Sequence, residues 1–102
     1  MKIMALIDVA RGADLVQVRA GLEGELRGSW KLYESGGLRE AYTTATPTRV
    51  VFILEAGSLD EARGHLSKMP LVIAGLMHID LLELKPFTNW SLLFRESSSI
   101  PD

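Results

Sequence analysis

The chain has 102 residues, 47% of them apolar, a formal net charge of −2 and no cysteine. That length suits one domain with a real core, and that apolar content excludes a disordered chain. The charge balance leaves no basic footprint for nucleic acid, and the missing thiols exclude disulfides, thiolate metal sites and cysteine nucleophiles.

Lys2–Val9 reads as a first strand. Ile3, Ala5, Ile7 and Val9 share one face, and Met4 and Leu6 share the other with Lys2 and Asp8. Asp8 and the short apolar run argue against a secretory signal. No stretch has the ~18 apolar residues that a membrane span needs. The absence of cysteine fits a reducing cytoplasm, the expected location.

After the loop Arg11-Gly12-Ala13, Asp14 and Gln17 form the pattern of a helix start. Leu15, Val18, Leu22, Leu26, Trp30 and Tyr33 then recur at steps of three and four, the stripe of an amphipathic helix. Arg19, Glu23, Glu25, Arg27 and Lys31 fall mostly off it. Gly36-Gly37 stops the helix after about 22 residues, roughly 33 Å. Gly21, Gly24 and Gly28 lie on one strip inside it. They fit close packing against a neighbour, a locally weak helix, or room for a ligand.

Leu38–Thr44 is a second strand, and Thr46-Pro47-Thr48 turns the chain into Arg49–Ala56, the most apolar strand. Val50, Phe52 and Leu54 face one way and Val51 and Ile53 the other, so both faces need cover. Ser58 to Glu61 is a capping box for a second helix to about Lys68, burying Leu59, Ala62, Leu66 and Met69. Pro70 ends it, and Leu71–Gly75 holds up to one more helical turn. Leu76–Pro86 is the last strand, followed by an aromatic tail, Phe87–Phe94. The order β-α-β-β-α-β is the ferredoxin-like split unit of the α+β class, a four-stranded antiparallel sheet with two helices on one face. The domain spans residues 1–95, and residues 96–102 form a flexible C-terminal tail.

Two helices shelter only one sheet face. Met4, Leu6, Phe52, Leu54, Met77, Ile79 and Leu81 cannot all be covered whichever way the strands face. The expected solution is a homodimer, or a higher homo-oligomer, packed sheet against sheet.

Ser58-Leu59-Asp60-Glu61-Ala62, then Leu66-Ser67-Lys68-Met69-Pro70-Leu71, resembles the second helix of muconolactone isomerases and their small relatives. Gly37-Leu38-Arg39-Glu40-Ala41-Tyr42, after a long amphipathic helix, resembles the same family. Arg39 matches the arginine of its second strand, while Leu38 and Tyr42 stand where it carries tryptophans. The resemblance covers about 1–94. It implies a dimeric α+β barrel and a cofactor-free isomerase acting on a small organic acid or lactone by proton transfer. A non-catalytic binding or assembly module of the same fold is the alternative, and fold analogy adds a monooxygenase-like barrel.

The residues suggest a distribution of roles. His78 has the ordinary pKa of a proton shuttle, and Asp80 shares its strand face and can orient the ring. Glu55 becomes an acid or base if burial raises its pKa. Arg39 suits a substrate carboxylate, and Trp30, Tyr33 and Tyr42 suit a pocket lining. Two histidines 13 apart make no recognisable metal site, and neither a phosphate loop nor a nucleophile elbow is present.

Overall fold

A computed structural model describes residues 1–95. The predicted flexible segment, 96–102, lies outside the described residues. Four strands, β1 (Lys2–Val9), β2 (Leu38–Thr43), β3 (Val50–Glu55) and β4 (Met77–Leu84), form one antiparallel sheet in the order β2-β3-β1-β4. Helices α1 (Leu15–Glu34), α2 (Leu59–Leu66) and α3 (Pro70–Ile73) complete the β-α-β-β-α-β layout, and a 3-10 helix spans Asn89–Phe94. The ferredoxin-like expectation holds.

Register sorts the side chains. Ile3 pairs with Leu54, Ala5 with Phe52 and Ile7 with Val50, so these share the helix-covered face. Ile3, Ala5, Ile7 and Leu54 are buried there with Leu38, Ala56, Ala62, Leu66, Met69 and Leu71. The opposite face carries the pairs Met4–Ile53 and Leu6–Val51, and Met4 also pairs with Leu82. In the single chain these are only partly covered, and Leu82 is exposed. This is the apolar face that the alternation of the strands leaves over.

Local signals set the element ends. Asp14 caps α1, its Oδ1 accepting the Val16 amide at 2.9 Å, one residue short of the expected Gln17 partner. At the other end Gly36 takes the left-handed φ of +88°, the Gly36 amide donates to Tyr33 and the Gly37 amide to Leu32. These are the paired bonds of a Schellman stop. Ser58 caps α2 by accepting the Glu61 amide at 3.0 Å, and the Glu61 carboxylate reaches back to the Gly57 amide at 2.7 Å. Pro70 does more than end that segment. It opens α3 from the first helical position, where its missing N–H costs nothing.

Two packing expectations need correction. Leu59 is exposed, because it starts α2 on the outer side while Ala62 and Leu66 face the core. The stripe of α1 is also uncovered: no residue of α1 is fully buried, and Leu15, Leu22, Leu26, Trp30 and Tyr33 are exposed. The reason lies in what α1 touches. A Cβ built on Gly21 would come within 2.5 Å of Leu71, one on Gly24 within 3.1 Å of Pro70, and one on Gly28 within 3.4 Å of Met69. The glycine strip thus seats α1 on α3 and the turn before it, and close packing is the reading that applies. Held there, α1 packs Leu32 against the core and leaves Leu15, Leu22 and Leu26 exposed.

Candidate active site

The gap beneath α1 is a cavity of about 220 Å³. Ile7, Phe52 and Met77 rise into it from the sheet, Leu22 and Leu26 line it from α1, and Val72 closes it from α3. Asp8 and Arg49 border it at the end of β1, with the Asp8 side chain on the open sheet face opposite His78. They are joined by three hydrogen bonds of 2.7 to 3.1 Å, and the Arg49 guanidinium holds the Asp8 carboxyl below its ordinary range.

One further charged side chain lies in the wall of this apolar space, away from Asp8 and Arg49. Glu25 follows Gly21 by four residues and Leu22 by three, and precedes Ser29 by four, so it lies on the inward face of α1. Both of its carboxylate oxygens are shut off from water and neither has a hydrogen-bond partner. Desolvation therefore raises its pKa. The Leu71 backbone offsets part of that rise, though its geometry falls short of a hydrogen bond. A carboxyl group in this state takes up and releases a proton nearer neutrality than a solvated one. Glu25 was counted in the sequence among the charged residues off the apolar stripe. The available signal was its place beside Gly21 and Gly28, where the helix makes its closest approach to another element.

The residues singled out from the sequence fall into three places. Trp30, Tyr33, Arg39 and Tyr42 come together in an open groove between the end of α1 and β2. The two rings of Trp30 and Tyr33 stack with centres 5.4 Å apart. Arg39 donates from Nε to the Gly36 carbonyl at 2.6 Å, and the Tyr42 hydroxyl donates to Glu40 at 3.1 Å. Ser29 and Phe52 line both this groove and the cavity, so the two adjoin.

His78 and Asp80 sit together at 3.2 Å, as their shared strand face requires, but on the open face of the sheet and not in the cavity. Glu55 is exposed at the far end of β3. It accepts a hydrogen bond from the N-terminal amine at 2.7 Å, which holds its pKa below the ordinary value. Burial was the condition for Glu55 to act as an acid, and the strand end leaves it in water instead. Glu55 pairs with Lys2 and His78 with Asp8, so the two are separated by six residues of β1, roughly 20 Å. Among the described residues no group of three or more histidine, aspartate or glutamate side chains is placed to hold a metal ion. Among the described residues no helix is long and apolar enough to cross a membrane.

No family model matches the sequence, and no curated protein does so either. Solved structures do match. The 5-chloro-2-hydroxyhydroquinone dehydrochlorinase of Burkholderia phenoliruptrix AC1100, in complex with 2,5-dihydroxybenzoquinone, superposes with a TM-score of 0.66. It is 21% identical, over 87% of this chain and 98% of its own. Muconolactone isomerase superposes with a TM-score of 0.67 at 17% identity, over 100% of this chain and 97% of its own. The chain shares the β-α-β-β-α-β fold of these two proteins. The muconolactone isomerase likeness expected from the second helix and the Gly37–Tyr42 segment is therefore seen in the whole fold. At these identities it carries the backbone arrangement and not the side chains of a site.

Proposed function

We propose that this protein is a cofactor-free enzyme that moves a proton on a small oxygenated ring, a lactone or a related organic acid, with Glu25 as its acid–base group. The observation that carries the reading is the Glu25 carboxyl, shielded from water and unpartnered in the wall of an apolar cavity large enough for one small ring. Two proteins of the same fold support the substrate class, one named for a lactone and the other for a chlorinated hydroxyhydroquinone.

The Glu25 carboxylate removes a proton from a carbon beside the ring carbonyl. The C–H electron pair moves into the ring as a dienolate, and Glu25 returns the same proton to a different carbon, so the double bond shifts and nothing else is consumed. The apolar walls keep the pKa of Glu25 raised through both steps. Arg39 in the adjoining groove, or Arg49 at the cavity border, supplies the cation for a substrate carboxylate. His78 and Asp80 then belong to the open sheet face. We place a second copy over that face, which makes the working unit a homodimer.

The test is turnover of muconolactone, 5-chloro-2-hydroxyhydroquinone and related small lactones and quinols, in the wild type and in Glu25→Gln. Loss of a general acid–base group lowers kcat by about 10²- to 10⁴-fold. A verified substrate turned over equally fast by both proteins would remove Glu25 from the mechanism.

A further inference from the structure

A second face of α1 looks onto α2 and the start of α3 rather than onto the sheet. Arg27, Lys31 and Ser35 follow one another along it at steps of four. Across a hollow of about 620 Å³ stand His65 in the last turn of α2 and Lys68 just after it. No strand residue lines this hollow, so a second sheet packed on the open face would leave it uncovered. Of its lining residues only Met69 also lines the Glu25 cavity.

Its charge is one-sided. No aspartate or glutamate lines it, although the chain as a whole has a net charge of −2. Arg27, Lys31 and Lys68 bring like charges to it from both walls, and such charges repel one another until an anion joins them. Among the described residues neither lysine has a hydrogen-bond or salt-bridge partner. Arg27 holds Glu23 at 2.7 Å, an exposed pair of the kind that contributes little and is open to exchange. Glu61 comes within 3.6 Å of His65, but its other oxygen is taken by the Gly57 amide. The rest of the lining is apolar, with Leu32, Met69 and Pro70 supplying most of it.

We propose that this hollow binds a small organic phosphate, its oxygens shared among Arg27, Lys31 and Lys68 and its organic part against Leu32, Met69 and Pro70. A phosphate group is compact, carries up to two charges and accepts hydrogen bonds from several directions at once. It therefore suits ammonium groups on opposite walls beside a guanidinium. A carboxylate has one charge and two coplanar oxygens, which serve one wall. The volume is that of a site for one small molecule. No aromatic ring lines it, so it offers no platform for a run of stacked bases. The site stands independently of the function proposed above.

The test is a titration of phenyl phosphate into the nitrogen-15-labelled protein, read from the amide chemical shifts. Saturable shifts centred on Gly28, Ser35 and Met69 are expected. Lys31→Ala and Lys68→Ala should each weaken binding about tenfold, the usual loss for one charged contact. Arg11→Ala and Arg19→Ala each remove the same charge elsewhere, and should leave the affinity within about twofold, since a distant exposed charge is screened. Equal losses in both sets of variants would overturn the site, and so would shifts that never saturate or that centre outside the hollow. Benzoate bound as tightly as phenyl phosphate would overturn the assignment to phosphate. Inorganic phosphate bound as tightly would overturn the role of the apolar lining.

Discussion

Asp8 and Arg49, 41 positions apart in the chain, meet at the cavity border, with Arg49 Nη2 donating to Asp8 Oδ2 at 2.7 Å and Nε to Oδ1 at 2.8 Å. The contact ties the end of β1 to the residue before β3. Because it depresses the Asp8 pKa below 3.8, it stabilises the fold above that pH, and the contribution is lost as pH falls through the folded value. Asp8→Asn should flatten the acid limb of stability. Urea midpoints between about pH 2 and pH 5 check this, with the wild type falling more steeply than the variant.

Glu25 has the opposite sign. Its raised pKa means that the folded state binds the proton more readily than the unfolded state. Its contribution is full below the ordinary value of 4.5 and is lost as pH rises through the folded value. Glu25→Met should therefore stabilise the protein at pH 7 by about 1 kcal/mol, the low end for an unsatisfied buried group, since the cavity opens to solvent. The gain should vanish near pH 4. Denaturant titrations at the two pH values measure it, and the same variant should be inactive.

The contact of α1 with α3 predicts a graded alanine series. Each glycine-to-alanine change in a helix gains up to about 1 kcal/mol in propensity. Gly28→Ala meets Met69 at an ordinary distance of 3.4 Å and should keep most of that gain. Gly21→Ala drives a methyl onto Leu71, which is buried and cannot swing away, and should lose about 1 kcal/mol net. Thermal midpoints of the two variants should fall on opposite sides of the wild type.

Ser58→Ala removes the oxygen that accepts the Glu61 amide, and should cost about 1 kcal/mol with cavity and sheet unchanged. Equilibrium unfolding checks the loss, and a preserved circular dichroism spectrum checks that the effect is local.

The uncovered sheet face gives an assembly prediction. Ile53 pairs with Met4 near the middle of that face. Ile53→Lys places a charge where a second sheet would pack, and should convert the proposed homodimer to single chains in light scattering at micromolar concentration.

Much of this fold was legible because its signals are local. The two-faced apolar strands, the Ser58 box and the Gly36-Gly37 stop each act within a few residues, and each appears where the chain places it. The extra turn at Leu71–Gly75 was legible as well, though Pro70 as its first residue was not. What the residues could not reveal is the partner of each face. The 3.6-residue period of α1 shows that a stripe exists, but not that Gly21, Gly24 and Gly28 claim the contact and leave Leu22 and Leu26 at the rim of a gap. Glu25 was obscured by the same ambiguity, since a charge off the apolar stripe ordinarily reads as a solvated one. Arg39, Trp30, Tyr33 and Tyr42 lie together because they flank one helix–strand connection. His78 and Glu55 lie apart from them, and strand alternation does not tell which side of the sheet the helices take.

The glycine ladder under α1 also works as a spacer of adjustable thickness. Bulk added at position 24 or 28 would lift one end of a rod about 30 Å long, carry Glu25 with it and widen the chamber below, leaving the sheet as it is. The size of molecule admitted can thus drift through changes on the outer seam, without any alteration to the walls that touch it.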